Sequence, residues 1–158
     1  MAKVLVVYYS RTGNTEEMAK AVEKGVRETG VECELKRVEE TTPEDLLNAD
    51  GIIIGSPTYF GLPAQEIVKL LDDSVKYYGK LEGKVGGAFS TSGILGGGNE
   101  TTVMGINQML LIHGMIIQGT TQGPHYGAVA IGRPDEKDLK FAEQLGKRVG
   151  NLVKRLFG

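Results

Sequence analysis

The stretch Ser10-Arg11-Thr12-Gly13-Asn14-Thr15 gathers three hydroxyls, a guanidinium, an amide and a glycine into one run. The chemistry open to such a run is anion binding. If a helix begins here, its first backbone N–H groups lack intrahelical acceptors. An anion that takes them gains about 0.3–1 kcal/mol from the helix dipole, and up to about 2 when partly buried. Ser10, Thr12 and Thr15 add hydroxyl donors, so a phosphate suits the run. The same residues also fit a plain helix cap, with Thr12 or Asn14 as capping residue and Glu17 closing a capping-box pattern. Taken alone, the stretch supports both readings.

Three more stretches carry chemistry. Ser56-Pro57-Thr58-Tyr59-Phe60-Gly61-Leu62-Pro63 sets two adjacent aromatics between prolines and a glycine. Such a pair either folds back on the core or takes a planar partner. From Ser90-Thr91-Ser92-Gly93 through Gly96-Gly97-Gly98, the glycines leave backbone N–H groups free to approach a flat or anionic ligand, or form a flexible lid. Gln122 to Gly127 holds His125, able to titrate near neutral pH, and Tyr126, able to stack on a ring; an ordered turn is the alternative. His113 stands before Gly114 at a predicted helix end, where an imidazolium favours the dipole. Cys33 is the sole cysteine and reads as a small buried apolar residue, which leaves no intrachain disulfide, iron–sulfur or cysteine-zinc site. No cluster of histidine and carboxylate suggests a metal.

The elements that must position these stretches follow from apolar period. Lys3 to Tyr9 is apolar at nearly every position, as a strand buried on both faces is, and Met18, Val22 and Val26 then repeat at helical spacing up to about Gly30. Val31, Cys33 and Leu35 alternate with charged residues and predict an edge strand. Thr42-Pro43-Glu44-Asp45 starts a short helix ending near Asn48. Gly51 to Gly55 is a second central strand. Ala64 to Tyr78 is a helix with Ile67, Leu70, Leu71 and Val75 on one stripe. Lys84 to Ser90 is a strand, Asn99 caps a helix reaching about Ile112, and Met115 to Gly119 is a further strand. Thr120 to Arg133 reads as a loop. Pro134 and Asp135 open a last helix with Leu139, Ala142, Leu145, Val149, Leu152 and Leu156 facing the core.

Strand and helix alternate about five times, which predicts parallel crossovers and a doubly wound α/β sheet with helices on both faces. Ligands in such sheets sit at the carboxyl ends of the strands. All four chemistry-bearing stretches follow strands, so all are expected at that edge, and this convergence favours ligand binding over capping for Ser10 to Thr15. The 158 residues suit one domain, 1–158. A formal net charge of −2 with no single-sign block argues against a nucleic-acid surface. The opening apolar run is too short for a secretory leader and no stretch suffices for a bilayer span, so no membrane span and a cytoplasmic location are expected. No G-x-G-x-x-G or G-x-x-x-x-G-K-[ST] motif is present, and Tyr8-Tyr9 stands where a phospho-accepting receiver would have an acidic pair.

The residues resemble the flavodoxin-like FMN-binding superfamily, and most closely the NAD(P)H:quinone oxidoreductases of the tryptophan-repressor-binding (WrbA) type. The resemblance spans the chain. It rests on Lys3 to Ser10 with Gly13, on Gly55 to Gly61, on Gly96-Gly97-Gly98-Asn99-Glu100-Thr101-Thr102, on His113-Gly114-Met115 and on Tyr126-Gly127-Ala128. It implies a five-stranded parallel sheet in the order 2-1-3-4-5. It also implies FMN: Ser10, Arg11, Thr12, Gly13, Asn14 and Thr15 around the phosphate, Pro57, Thr58, Tyr59, Phe60 and Gly61 along the ring, and Ser90, Thr91, Ser92, Gly93, Gly96, Gly97 and Gly98 at its other edge; Tyr126, able to stack on a ring, is a further cofactor-binding residue.

The activity implied is two-electron transfer from NAD(P)H to a quinone or similar small-molecule acceptor, by a homo-oligomer (dimer or tetramer). Two departures bear on it. The insertion usual between the second and third strands of WrbA-type chains, which helps build their tetramer, is missing. The usual histidine pair before the glycine is Ile112-His113 here, so His125 is assigned a substitute polar or catalytic role. A flavodoxin-type single-electron carrier is the alternative; carriers are usually strongly acidic and place tryptophan by the flavin, whereas this chain is near neutral and has no Trp. A flavin-binding regulatory subunit is the third possibility.

Overall fold

The computed structural model describes residues 1–158. The strands are β1 (Lys3–Tyr8), β2 (Glu32–Arg37), β3 (Gly51–Tyr59), β4 (Leu62–Pro63), β5 (Val85–Ser92), β6 (Ile116–Ile117) and β7 (Ala128–Ile131). The helices are α1 (Asn14–Glu28), α2 (Pro43–Leu47), α3 (Gln65–Asp73), α4 (Asn99–Ile112) and α5 (Glu136–Phe157). The sheet runs β2-β1-β3-β5-β6, with β7 also parallel to β5. β6 pairs Val85 and Gly86, whereas β7 pairs Phe89 to Ser92, so the two short strands form one interrupted edge. Counted that way, the order is 2-1-3-4-5, and the fold is the flavodoxin-like one.

Alternation along β1 feeds two layers. Val4, Val6 and Tyr8 pack with Met18, Val22 and Val26 of α1 and with Ala142, Leu145, Val149 and Val153 of α5. Leu5 and Val7 face the other way, with Ile52 and Ile54, onto Ile67 and Leu70 of α3 and Val103, Ile106 and Leu110 of α4. α1 and α5 meet through glycines: a Cβ on Gly25 would strike the Glu143 carbonyl, and one on Gly146 the Val22 carbonyl. That close crossing fixes where α1 begins, and with it the loop that precedes it.

Several expectations need correction. Thr120 to Arg133 is not all loop, because Ala128 to Ile131 pairs with the upper half of β5; the strand expected at Met115 to Gly119 shrinks to Ile116–Ile117. The excursion 118–127 therefore leaves the sheet halfway along its edge and returns to it at Ala128, with His125 and Tyr126 beside Glu100 and Val103 at the start of α4. Val75 is exposed, since the chain tightens into a 3₁₀ turn at Ser74–Tyr77 and loses the α-helical stripe; Leu156 is exposed near the end of α5. Asn99 is the first residue of α4, not its cap: Gly98 caps it in the left-handed region, at φ 105°.

Candidate functional site

The turn after β1 is organised by Ser10. Its buried Oγ accepts from the N–H of Gly13 (3.1 Å) and of Glu16 (3.3 Å). Gly13, at φ 98°, is the N-cap of α1, so neither Thr12 nor Asn14 plays that part and Glu17 closes no box. The N–H groups of Thr12, Asn14 and Thr15 have no protein acceptor. Three donors thus converge where the helix dipole is positive. The acids of the first turn do not fill the place: Glu16 accepts from the Tyr8 hydroxyl (2.8 Å), and Glu17 faces Arg133 (3.6 Å).

Arg37, at the end of β2 and in register with Tyr8, donates to the Ser10 carbonyl (2.7 Å) and lies over the Tyr8 ring. It buttresses the loop from behind, and sequence reading missed it because the contact needs the β1–β2 register.

Deeper in, Thr15 Oγ1 and the Thr91 hydroxyl at the end of β5 are 2.8 Å apart, both buried. Thr58 Oγ1 and Ser90 Oγ are 3.0 Å apart across β3 and β5. These hydroxyl pairs tie the first, second and third predicted stretches into one wall. A cavity of about 300 Å³ opens above it, lined by Arg11, Thr12, Asn14, Thr15, Pro57, Thr58, Tyr59, Thr91, Ser92, Gly93 and Gly132. No carboxylate lines it. Gly132 was not anticipated; it follows β7, which the sequence hid inside a long loop.

The second stretch is a hairpin. β3 and β4 pair at Thr58–Pro63 and Tyr59–Leu62, leaving Phe60 (φ 52°) and Gly61 (φ 75°) as a two-residue turn of the I′ kind. Phe60 is a bulky residue in a left-handed conformation, with its ring fully exposed. The hairpin leans on the glycine-rich loop: Thr101 Oγ1 donates to the carbonyl of Gly61 (2.7 Å), and a Cβ on Gly98 would meet the Gly61 Cα at 2.8 Å. Asn99 Nδ2 donates to Ser92 Oγ (3.0 Å), which bends that loop over the end of β5. Gly93 and Gly96 face open space.

The fourth stretch stands apart. His125 and Tyr126 line a smaller cavity with Glu100, Val103, Pro124, Gly127 and Val129. His125 Nδ1 is 2.9 Å from the Thr120 carbonyl within its own loop, and Asn107 Nδ2 donates to the Tyr126 carbonyl (3.2 Å).

His113 caps the far end of α4, 6% exposed, with Nε2 2.8 Å from Ser74 Oγ. Burial pushes its pKa down, which opposes the charged form that the helix dipole favours. Cys33 is buried and its thiol is pushed up to about 12, which removes it as a nucleophile. No group of three or more His, Cys, Asp or Glu residues is placed to hold a metal ion, and no helix is long and apolar enough to cross a membrane.

The flavodoxin sequence profile matches residues 6–107, from β1 through α4. The chain is 43% identical to a protein named flavodoxin from Aquifex aeolicus, over 97% of this chain and 88% of that one. It is 37% identical to one named NAD(P)H dehydrogenase (quinone) from Archaeoglobus fulgidus, over 99% of this chain and all of that one. The crystal structure of a WrbA-like flavodoxin from Agrobacterium tumefaciens superposes with a TM-score of 0.83 at 30% identity, over 98% of this chain and 99% of that one. The profile covers the loop between β1 and α1, the β3–β4 hairpin and the glycine-rich turn after β5, the same segments that close around the cavity: the chain belongs to the flavodoxin family.

Proposed function

We propose that the chain is an FMN-dependent oxidoreductase that passes two electrons from NAD(P)H to a quinone or similar small acceptor. Family membership implies FMN, and the cavity fits it. Three unpartnered N–H groups and the Thr12 and Thr15 hydroxyls suit a phosphate dianion, each charge-assisted bond contributing about 1.5–3 kcal/mol, while Ser10 holds the turn that presents them. Pro57 to Gly61 would flank the ring, and Ser90 to Gly93 with Gly96 to Gly98 would meet its polar edge through backbone and hydroxyl groups. Tyr126 and His125 line the neighbouring smaller cavity, beside Glu100 and Val103 at the start of α4. When bound, FMN supplies the hydride-accepting and electron-donating chemistry. The chain's own residues bind and orient: the N-terminus of α1 anchors one end, and the hairpin tip, fixed by Thr101, sets the position of the ring slot.

The observation that carries the reading is the acid-free lining of the cavity. No carboxylate of that wall repels an anionic nicotinamide dinucleotide approaching the flavin ring. Relatives named NAD(P)H dehydrogenase (quinone), at 35–37% identity over their whole lengths, support it. The carrier reading is favoured by a different observation. The relative named flavodoxin is the more identical at 43%, and the alignment to the Archaeoglobus protein spans 190 positions against 158 residues here, so that relative carries additional chain. The reading extends to a cytoplasmic homo-oligomer; for the oligomer, the exposed apolar side chains of Phe60, Leu62, Ile94 and Leu95 give support.

Steady-state oxidation of NADH and NADPH by the FMN-loaded protein, with 1,4-benzoquinone as acceptor, separates the two. Quinone-dependent turnover is expected. Tight FMN binding without it would favour the carrier.

A further inference from the structure

Arg11 is the only cation in the wall of the cavity, which makes it the obvious ligand of a phosphate. Its side chain does something else. The guanidinium carbon lies 4.8 Å from the centre of the Tyr59 ring, stacked over its face. Tyr9 meets the same ring edge-on, with centroids 6.5 Å apart and planes at 76°. Tyr59 is thus held between a cation and an aromatic edge. Arg11 has no carboxylate partner and Tyr59 is the last residue of β3, at the mouth of the turn that carries Phe60.

Arg11 and Tyr59 also line a second cavity, of about 550 Å³, between α3 and α4. The stacked pair is therefore the partition between the two spaces.

We infer that Arg11 is a positioning residue that acts through Tyr59, setting the ring that walls the flavin slot, and is not a ligand of the FMN phosphate. The inference rests on the FMN reading above. The phosphate end of the cavity has its own donors in the Thr12, Asn14 and Thr15 N–H groups, so charge neutralisation by Arg11 is not required there. Planarity matters to the role: a guanidinium spreads over an aromatic face, whereas an ammonium is a hydrated point charge. Burial pushes the Tyr59 phenol up and the nearby Arg11 charge opposes that, which agrees with close approach.

The magnitudes separate the two roles. Loss of an exposed cation–π stack weakens binding of either flavin by about two- to fivefold. Loss of a charge-assisted phosphate contact weakens FMN alone, by roughly ten- to a hundredfold. The test is titration of the flavin-free full-length chain with FMN and, separately, riboflavin, for wild type, Arg11→Ala, Arg11→Lys, Tyr59→Leu and Arg11→Ala/Tyr59→Leu.

Arg11→Ala is expected to weaken both flavins alike, to leave their affinity ratio within about threefold, and to have no further effect in the Tyr59→Leu background. Arg11→Lys should behave like Arg11→Ala. A fall of tenfold or more confined to FMN, rescued by Arg11→Lys, would overturn the inference.

NMR of the flavin-free chain gives a readout that needs no cofactor: the Arg11 side-chain protons should be ring-shifted upfield, and the shift should vanish in Tyr59→Leu. Its absence would also overturn the inference. Failure of wild type to bind either flavin, with the ring shift present, would defeat the FMN reading and leave the Arg11–Tyr59 stack standing.

Discussion

At the scale of single residues, the buried hydroxyl pair Thr15–Thr91 links the loop after β1 to the end of β5. Thr15→Val would leave the buried Thr91 hydroxyl without its protein partner and should cost about 1–3 kcal/mol. Replacing both threonines with valine should recover much of that loss; urea denaturation of the flavin-free chain measures both variants. His113 gives a pH prediction. Its folded-state pKa lies below the unfolded value of 6.5, so the unfolded chain binds more protons between the two values. Its contribution is therefore complete above about pH 6.5 and is lost as pH falls toward the folded-state value. Wild-type stability should fall as pH drops below about 6.5, and His113→Gln should flatten that part of the curve. The residue types of the anion loop were legible in sequence because hydroxyls, amide and glycine sit side by side. His113 was not, since its partner Ser74 is 39 positions away and only the α3–α4 packing brings them together.

At the scale of elements, the β3–β4 hairpin holds strain. Phe60 in the left-handed region costs of the order of 1 kcal/mol or more that Asn would largely avoid. Phe60→Asn should raise the stability of the flavin-free chain by about 0.5–1 kcal/mol while weakening flavin binding; thermal melts with and without FMN would reveal the opposed signs. The α1–α5 crossing makes the reverse case. Gly146→Ala inserts a methyl against the Val22 carbonyl and should destabilise by about 1–3 kcal/mol, read from the urea midpoint.

Most elements were legible because their apolar periods are clean, as in β1, β3, α1 and α5. The split edge was not. Ile116–Ile117 and Ala128–Ile131 are each too short to show a period, and only pairing with opposite halves of β5 makes them one strand.

At the scale of the whole molecule, three of the four chemistry-bearing stretches meet at the carboxyl end of the sheet, as the doubly wound fold requires. Exposed Phe60, Leu62, Ile94 and Leu95 project from the hairpin and glycine-rich loop at that end. Light scattering of the FMN-loaded protein should give a dimer or tetramer; a monomer at micromolar concentration would contradict assembly through this face. The most direct measurement is anaerobic mixing of the FMN-loaded chain with NADPH or NADH, followed by a quinone. The visible flavin band should be lost on mixing with at least one nicotinamide donor and return in full on adding quinone. An oxidised band that persists with both donors, yet bleaches with a one-electron reductant, would contradict two-electron transfer from NAD(P)H.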